Sequence, residues 1–420
     1  MSENTFEAPR GMRDFYPEDM VWRNRIFDAW RAAAERFGFQ PYDACVVESL
    51  ELLQRKSGEE VSEQIYAFED KSGRKLALRP EMTPTLARMV AARQSRMPFP
   101  IKWFTVAQCF RYERMTRGRK REHYQLNMDI IGSEEVLCEA ELLGAAVEAM
   151  RTMGMPDPAW RIHVSSRALL GELLAGSGIP AAQHSAVFIA LDKRGKISDE
   201  EIGALLRAEG LNEAAVAKTF ELLSVTTLEE VAALVAPDSA ALANLRALFT
   251  IAASMGYDAL LQFDIAIIRG LSYYTGIVFE AFDVQLKFRA LFGGGRYDSL
   301  LERVGGAPTA AVGMGFGDVV VAELLHDLLG ESCPVTRKGF ILGYMAIEQR
   351  DVAIALAAQL RAEGHAVDLS IVAQKPKQFF SKAGASSALE AIYLGPDDVV
   401  AGEAHVKHLE TRDVRILKLI

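Results

Sequence analysis

The chain has 420 residues, half of them apolar, with 47 basic and 56 acidic side chains for a net charge of −9. At roughly 150 residues per domain this length implies two or three domains with ample core, which excludes a disulfide-stapled miniprotein and a disordered tail. The acidic balance excludes a polyanion-binding surface spread over the whole molecule, so any contact with nucleic acid must use a local basic patch. Cys45, Cys109, Cys138 and Cys333 are far apart and form no C-x-x-C pair, pointing to a reducing compartment rather than a zinc ribbon or redox motif. The first twenty residues lack an apolar signal core and no later stretch is long and apolar enough to span a membrane. A cytoplasmic protein is expected.

In chain order, Ala8-Pro9-Arg10-Gly11-Met12-Arg13-Asp14 is turn-rich. The apolar spacing after Pro17, with Val21, Ile26, Phe27, Trp30, Ala33, Ala34 and Phe37, predicts an amphipathic helix over about 18–37 closed by Gly38. Runs of strand formers predict strands at 64–68, 75–78, 101–110 and 125–131. From about Leu169 to 256 the texture turns to Ala/Leu/Glu-rich helical periodicity broken at Gly176-Ser177-Gly178 and Pro237-Asp238-Ser239, a helical insertion without a chemical constellation. Strands are expected again at 261–268 and 277–282, then a glycine-rich turn at Gly293-Gly294-Gly295 and a helix over about 318–329. Residues 331–337 read as a linker between a domain of residues 1–330 and one of residues 338–420. In the latter, strands at 338–344 and 366–371 flank a helix at 350–363, a small α/β unit.

The stretch richest in chemistry is Phe110-Arg111-Tyr112-Glu113-Arg114-Met115-Thr116-Arg117-Gly118-Arg119-Lys120-Arg121-Glu122-His123-Tyr124-Gln125. A strand ending in Arg111 and Glu113 would place both on one face, followed by a basic loop and a returning strand. Permanently charged, bidentate guanidinium groups suit the phosphoryl oxygens of a nucleotide, and clustered Arg and Lys also suit nucleic-acid phosphates. A solvated charged hairpin is the plain alternative. Gly313-x-Gly315-x-Gly317 by itself reads as tight turning or close packing rather than a phosphate cradle. His163, on an apolar strand, reads as a core residue. His405 and His408 lack a third ligand, so no metal site is expected.

The order Arg-x-Glu, basic loop, His123-Tyr124, Gln125 and Asp129 resembles motif 2 of the class II aminoacyl-tRNA synthetases, and is most similar to the histidyl-tRNA synthetase family. The opening at residues 8–17 resembles that family's N-terminus, and Leu78-Arg79-Pro80-Glu81-Met82-Thr83 resembles its loop for the substrate α-amino group. Arg269-Gly270-Leu271-Ser272-Tyr273-Tyr274-Thr275-Gly276-Ile277-Val278-Phe279-Glu280 looks like the family's histidine-recognition motif, and Gly293-Gly294-Gly295-Arg296-Tyr297-Asp298 follows in its place. With a tail similar to an anticodon-binding domain, the resemblance covers nearly the whole chain.

The resemblance implies an α/β (α+β) fold, an antiparallel sheet flanked by helices, in a homodimer. It implies an enzyme, a histidine–tRNA ligase that forms histidyl-adenylate from histidine and ATP and passes the histidyl group to the 3′ end of histidine tRNA. Glu81, Met82, Thr83, Gln125, Asp129, Tyr273, Tyr274 and Tyr297 would hold histidine, whose ammonium and imidazole N–H are donors. Arg111 would grip the α-phosphate and the histidine carboxylate, with Glu113, Arg119 and His123 on the rest of ATP and Mg²⁺ accompanying pyrophosphate. Arg269 would be the catalytic arginine, stabilising charge on the α-phosphate. In the tail, Lys375, Lys377 and Lys382 are candidate phosphate contacts.

Three positions depart from the pattern. Val320 stands where the class usually carries an arginine at the γ-phosphate end of ATP, Cys45 replaces a motif 1 proline, and Ser272 replaces an acid. The Gly-Phe-Gly-Asp motif at 315–318 resembles a branch that includes plant organellar forms, in which Arg119 and its neighbours would cover the missing charge. The competing reading is a non-catalytic paralogue, the regulatory subunit of ATP phosphoribosyltransferase. Residues 338–420 and the intact basic loop weigh against it.

Overall fold

The computed structural model describes residues 6–54, 64–194, 197–269, 273–330 and 337–419. Gly270, Leu271 and Ser272, and the 331–336 part of the expected linker with Cys333, lie outside the described residues. The chain divides into two compact units, Met1–Glu331 and Ser332–Ile420.

The first unit opens with the helix Pro17–Arg36. Proline at its first position costs no hydrogen bond, and Asp19 accepts the Tyr16 N–H at 3.0 Å. Its buried stripe, Ile26, Phe27, Trp30, Ala33 and Ala34, is the one the spacing predicts. Eleven strands follow among the described residues of this unit: β1 Gln40–Pro41, β2 Val47–Ser49, β3 Ala67–Glu69, β4 Lys75–Leu78, β5 Ile101–Phe110, β6 Glu122–Ile131, β7 Trp160–Ser166, β8 Leu261–Phe263, β9 Ile277–Asp283, β10 Phe292–Arg296 and β11 Ala311–Gly317. Eight form one sheet in the order β1-β5-β6-β11-β10-β9-β7-β8, and β2-β4-β3 form a small second one. The pairs from β5 to β7 across the large sheet are all antiparallel, while β1 and β8 join the edges in parallel. One face packs Leu126, Met128, Ile130, Phe279, Met314 and Phe316 into the main core with Trp30 and Trp160.

Four expectations need correction. Gly293-Gly294-Gly295 is not a turn but the middle of β10, buried in the centre of the sheet. Glycine is poor in strands unless something approaches the backbone closely, and here a Cβ at Gly294 would sit 2.1 Å from the Gly313 carbonyl oxygen. Second, β8 stops at Phe263 because the Asp264 carboxylate turns the chain, accepting the Ala266 N–H at 3.0 Å while pairing with His163 at 2.9 Å. Third, the strand expected at 64–68 lies at Ala67–Glu69. Fourth, β5 ends at Phe110, so Arg111 and Glu113 do not alternate along a strand. A tight turn, with the Glu113 N–H on the Arg111 carbonyl at 2.8 Å, brings both to the same cleft instead.

Between β7 and β8 run the helices Arg167–Gly176, Ala181–Leu191, Asp199–Ala208, Glu213–Leu222, Leu228–Ala232 and Ala240–Ser254. Ser166, Ser198, Asn212, Thr227 and Ser239 each cap a helix by accepting a backbone N–H from the first turn.

The second unit is a five-stranded sheet, β12 Phe340–Tyr344, β13 Val367–Leu369, β14 Glu390–Leu394, β15 Glu403–His408 and β16 Val414–Lys418, ordered β13-β12-β14-β15-β16. β12 is parallel to both neighbours, and the β14-β15-β16 edge is antiparallel. Phe340, Leu342 and Tyr344 face Leu356 and Leu360 of the helix Ile347–Ala362. On the other face Ile341 meets Phe379 and Ala383 of the helix Pro376–Ala385. Lys375 and Lys377 are exposed, and Lys382 pairs with Asp368 at 3.5 Å.

Candidate active site

The face of the large sheet opposite the main core carries the chemistry. Because strand side chains alternate, β6 presents His123, Gln125, Asn127 and Asp129 together on that face. The neighbouring strand β11 sets glycine beside three of them, with Gly313 opposite Asp129, Gly315 opposite Asn127 and Gly317 opposite Gln125. On the far side β10 adds Gly293 and Gly295. These glycines make room for particular atoms. A Cβ at Gly313 would lie 1.9 Å from the Asp129 carboxylate, one at Gly315 2.6 Å from the Gln125 amide, and one at Gly293 1.6 Å from the Arg269 guanidinium. The glycine floor therefore sets where two β6 side chains and one distant arginine lie.

Two adjoining groups of residues sit on this floor. The deeper one is a buried acidic and phenolic pocket. The Tyr297 hydroxyl donates to Asp129, the Tyr273 hydroxyl donates to Glu81 at 3.4 Å, and the rings of Tyr273, Tyr274 and Tyr297 pack within 6 Å of one another in sequence. Burial, with Asp129 beside one and Glu81 beside the other, raises the Tyr297 and Tyr273 phenols well above their ordinary values, so both stay neutral donors. Glu81 Oε1 is buried and accepts no hydrogen bond among the described residues, an acceptor suited to a cationic or N–H donor ligand. Thr83 opens the helix Thr83–Ala91 next to Glu81, whereas the Met82 side chain packs away with Ala107 and Cys109.

The shallower group is a cleft of about 470 Å³ lined by Arg111, Glu113, Arg119, His123, Gln125 and Arg269, with Val320 in its wall. Arg111 Nε donates to the Pro80 carbonyl at 3.0 Å, joining the cleft to the Glu81 segment. Arg119 pairs with Glu113 at 2.8 Å and Arg269 with Glu280 at 3.2 Å. Arg269 also lies 5.7 Å from the Tyr274 ring centroid, linking cleft and pocket. Burial, with Arg111 and Arg13 nearby, pushes the His123 imidazole down to about 3, so it is a neutral ring at physiological pH.

The basic loop is fastened from one side. Arg117 pairs with Glu323 at 2.6 Å and Asp327 at 3.2 Å on the helix Asp318–Leu329, and Glu323 also accepts the Gly118 N–H. From the other, Arg13 bridges Glu122 at 2.6 Å and Asp318 at 2.9 Å, and Asp318 accepts the Tyr124 N–H. Burial pushes the Asp318 carboxyl up to about 6 against the pull of Arg13.

The candidate residues Glu81, Thr83, Asp129, Tyr273, Tyr274 and Tyr297 thus gather in the pocket, and Arg111, Glu113, Arg119, His123, Gln125 and Arg269 in the cleft. The motifs gave no role to Glu280, Arg13, Asp318 or Arg167; the first three stood inside motifs already singled out, Glu280 pairs with Arg269 of its own motif, and the partners of Arg13, Asp318 and Arg167 are distant in sequence. Among the described residues no group of three or more His, Cys, Asp or Glu is placed to hold a metal ion, and no helix is long and apolar enough to cross a membrane.

An antiparallel sheet with one helix-covered face, and arginines framing a cleft on the other, is the catalytic architecture of a class II aminoacyl-tRNA synthetase. Residues 11–317 match the family model described as histidyl-tRNA synthetase. The chain is 41% identical over 413 residues to the chloroplastic/mitochondrial histidine–tRNA ligase of Arabidopsis thaliana, covering 98% of this chain and 85% of that one. It is 36% identical to the histidine–tRNA ligase of Opitutus terrae, covering 97% and 95% of the two chains. Its fold matches the crystal structure of histidyl-tRNA synthetase from Nostoc sp. PCC 7120 with a TM-score of 0.82 at 22% identity, over 99% and 97% of the chains. The chain belongs to the histidyl-tRNA synthetase family.

Proposed function

We propose that this chain is a working histidine–tRNA ligase, in which the buried pocket selects histidine and the adjoining cleft activates it with ATP. The observation that carries the reading is the continuity of the two groups: Arg111 and Arg269 frame the cleft and also touch the Glu81 segment and the Tyr274 ring. Glu81 and Thr83 receive the ammonium group, and Asp129 with the tyrosines receives the imidazole. Gln125, between them on β6, orients the amino acid. Arg111 holds the histidine carboxylate against the α-phosphate of ATP. A carboxylate oxygen attacks that phosphorus, the bond to the bridging oxygen breaks, and pyrophosphate leaves with the electron pair. Arg269 stabilises the charge that builds on the α-phosphoryl oxygens in a water-poor site. The 3′-terminal ribose hydroxyl of histidine tRNA then attacks the acyl carbon and AMP departs.

His123 offers a neutral ring for the base, while Glu113 and Arg119 serve the rest of the nucleotide. With Val320 in the cleft wall, Arg119 serves the outer phosphates, beside Lys120, Arg194 and Arg289, which line the same cleft. Of the cleft carboxylates Glu113, Asp192 and Glu280, Glu113 and Glu280 are paired with arginines, and Mg²⁺ enters as the companion of ATP and pyrophosphate. The C-terminal unit reads the anticodon, with Lys375 and Lys377 free to meet phosphate; a homodimer in the cytoplasm completes the reading. The test is charging of a histidine tRNA transcript with labelled histidine in the presence of ATP and Mg²⁺. ATP-dependent acylation supports the reading, and histidine binding without acylation would replace it with a silent regulatory paralogue.

A further inference from the structure

Arg167 begins the helix Arg167–Gly176 directly after β7, and its guanidinium points into the segment that carries Arg269. Nε donates to the Ile268 carbonyl at 3.0 Å, Nη1 to the Tyr274 carbonyl at 3.4 Å, and Nη2 to the carbonyl of Arg269 itself. Its backbone N–H adds a fourth tie, to the Gly276 carbonyl at 3.0 Å. One side chain therefore grips both arms of the segment. Arg269 has φ +56°, a left-handed conformation that a long side chain adopts at a cost. Such strain persists only where the surroundings over-determine it.

The partners of Arg167 are themselves unusual. A largely buried guanidinium normally meets a carboxylate, because carbonyl oxygens alone do not repay the loss of its hydration. Among the described residues the hydrogen bonds of the Arg167 guanidinium go to carbonyls; the Phe188 ring of the helix Ala181–Leu191 lies 5.4 Å from Cζ to centroid, and the Asp192 carboxylate acts on it through its charge. Burial accordingly pulls its pKa below the ordinary arginine value. An apolar side chain at this position would avoid that desolvation cost. What an apolar side chain cannot do is fix three carbonyls that bracket Arg269.

We infer that Arg167 is a positioning residue for adenylate formation, fixing the backbone at Arg269 so that the Arg269 guanidinium stays over Gly293 and Glu280 and faces the cleft. The inference rests on the proposed role of Arg269, and the test separates the two. Full-length Arg167→Lys, Arg269→Ala and the double variant are compared in histidine-dependent exchange of labelled pyrophosphate into ATP, with thermal midpoints measured alongside. Lysine keeps the charge but cannot span three carbonyls. Because a misplacement of about 1 Å costs about 100-fold in rate, Arg167→Lys should lower kcat by that order with the KM for histidine little changed. In the Arg269→Ala background the same substitution should add less than about twofold, since residues acting as a unit are not additive. If Arg167→Lys melts below the assay temperature, Arg167→Gln takes its place in the same comparison. A wild-type kcat in the Arg167 variant, or an equal loss in both backgrounds, would overturn the brace while leaving Arg269 catalytic. A wild-type rate for Arg269→Ala would remove Arg269 from the reaction, and the brace with it.

Discussion

Strand β6 of the first unit and strand β12 of the second both lie inside their sheets, yet they are covered differently. β12 is apolar on both faces, with Phe340, Leu342 and Tyr344 on one cluster and Ile341 on another. β6 packs Leu126, Met128 and Ile130 into the main core on one face, and its other face, apolar only at Ile131, turns His123, Gln125, Asn127 and Asp129 toward pocket and cleft. Glycine shows the same contrast. At Gly343 of β12 a Cβ would meet the Phe379 ring at 2.4 Å, so the absence of a side chain serves packing. At Gly313 and Gly293 it would meet the Asp129 carboxylate and the Arg269 guanidinium, so the absence serves polar groups of the proposed site. A sheet can do chemistry where one face is only partly covered, here by the helix Thr83–Ala91 beside the open cleft, and close-packed glycines then decide which side chains lie there.

That comparison can be broken in four places. The largest effect should come from Arg269→Ala, a loss of about 10²–10³-fold in the kcat of pyrophosphate exchange, the range seen when one preorganised donor to a developing oxyanion is removed. Gly313→Ala comes next. Its Cβ displaces the Asp129 carboxylate, so the KM for histidine should rise about 10- to 100-fold, equivalent to about 1.4–2.8 kcal/mol of binding, while the KM for ATP moves little.

A smaller effect is expected from the imidazole of His123. Its folded pKa is depressed to about 3 from an unfolded value of 6.5, so the unfolded chain binds the extra proton between those values. The stabilising contribution is present above pH 6.5 and fades as pH falls toward 3. The urea midpoint of the wild type should therefore fall relative to that of His123→Phe as pH goes from 7.5 to 6 to 5. Asp318 has the opposite slope, its carboxyl being raised to about 6, but it is present in both proteins and cancels in the difference. Parallel midpoints would show that His123 titrates normally. The smallest functional effect belongs to Gly343→Ala. Overpacking against Phe379 should cost about 1–3 kcal/mol of stability, read as a lower melting temperature of the second unit, with exchange kinetics unchanged. A loss of exchange there would break the distinction between the two glycine roles.

Much of this was legible in the sequence wherever local chemistry decided the outcome. β4, β5 and the helix Asp318–Leu329 run between the residues their patterns predict, because strand formers, apolar spacing and flanking breakers all agree. The cleft residues Arg111, Glu113 and His123 fall within one short stretch, so their grouping could be read directly. What could not be read depends on contacts across the chain. Gly293-Gly294-Gly295 looked like a turn because its conformation is set by Arg269, Phe279 and Gly313 from other elements. Arg167 gave no signal, since the carbonyls it holds lie about a hundred residues further on. Asp264 ended β8 early through a side-chain turn that strand propensity does not register.

The account stands on histidine activation at the open face of the first sheet. The most direct measurement is exchange of labelled pyrophosphate into ATP by the purified full-length protein with Mg²⁺, offered each of several amino acids in turn and no tRNA. Exchange with histidine alone is the predicted result, and it would make Val320 compatible with ATP handling. Absence of exchange with histidine, alongside measurable histidine binding, would contradict the account and leave a pocket that senses histidine without activating it.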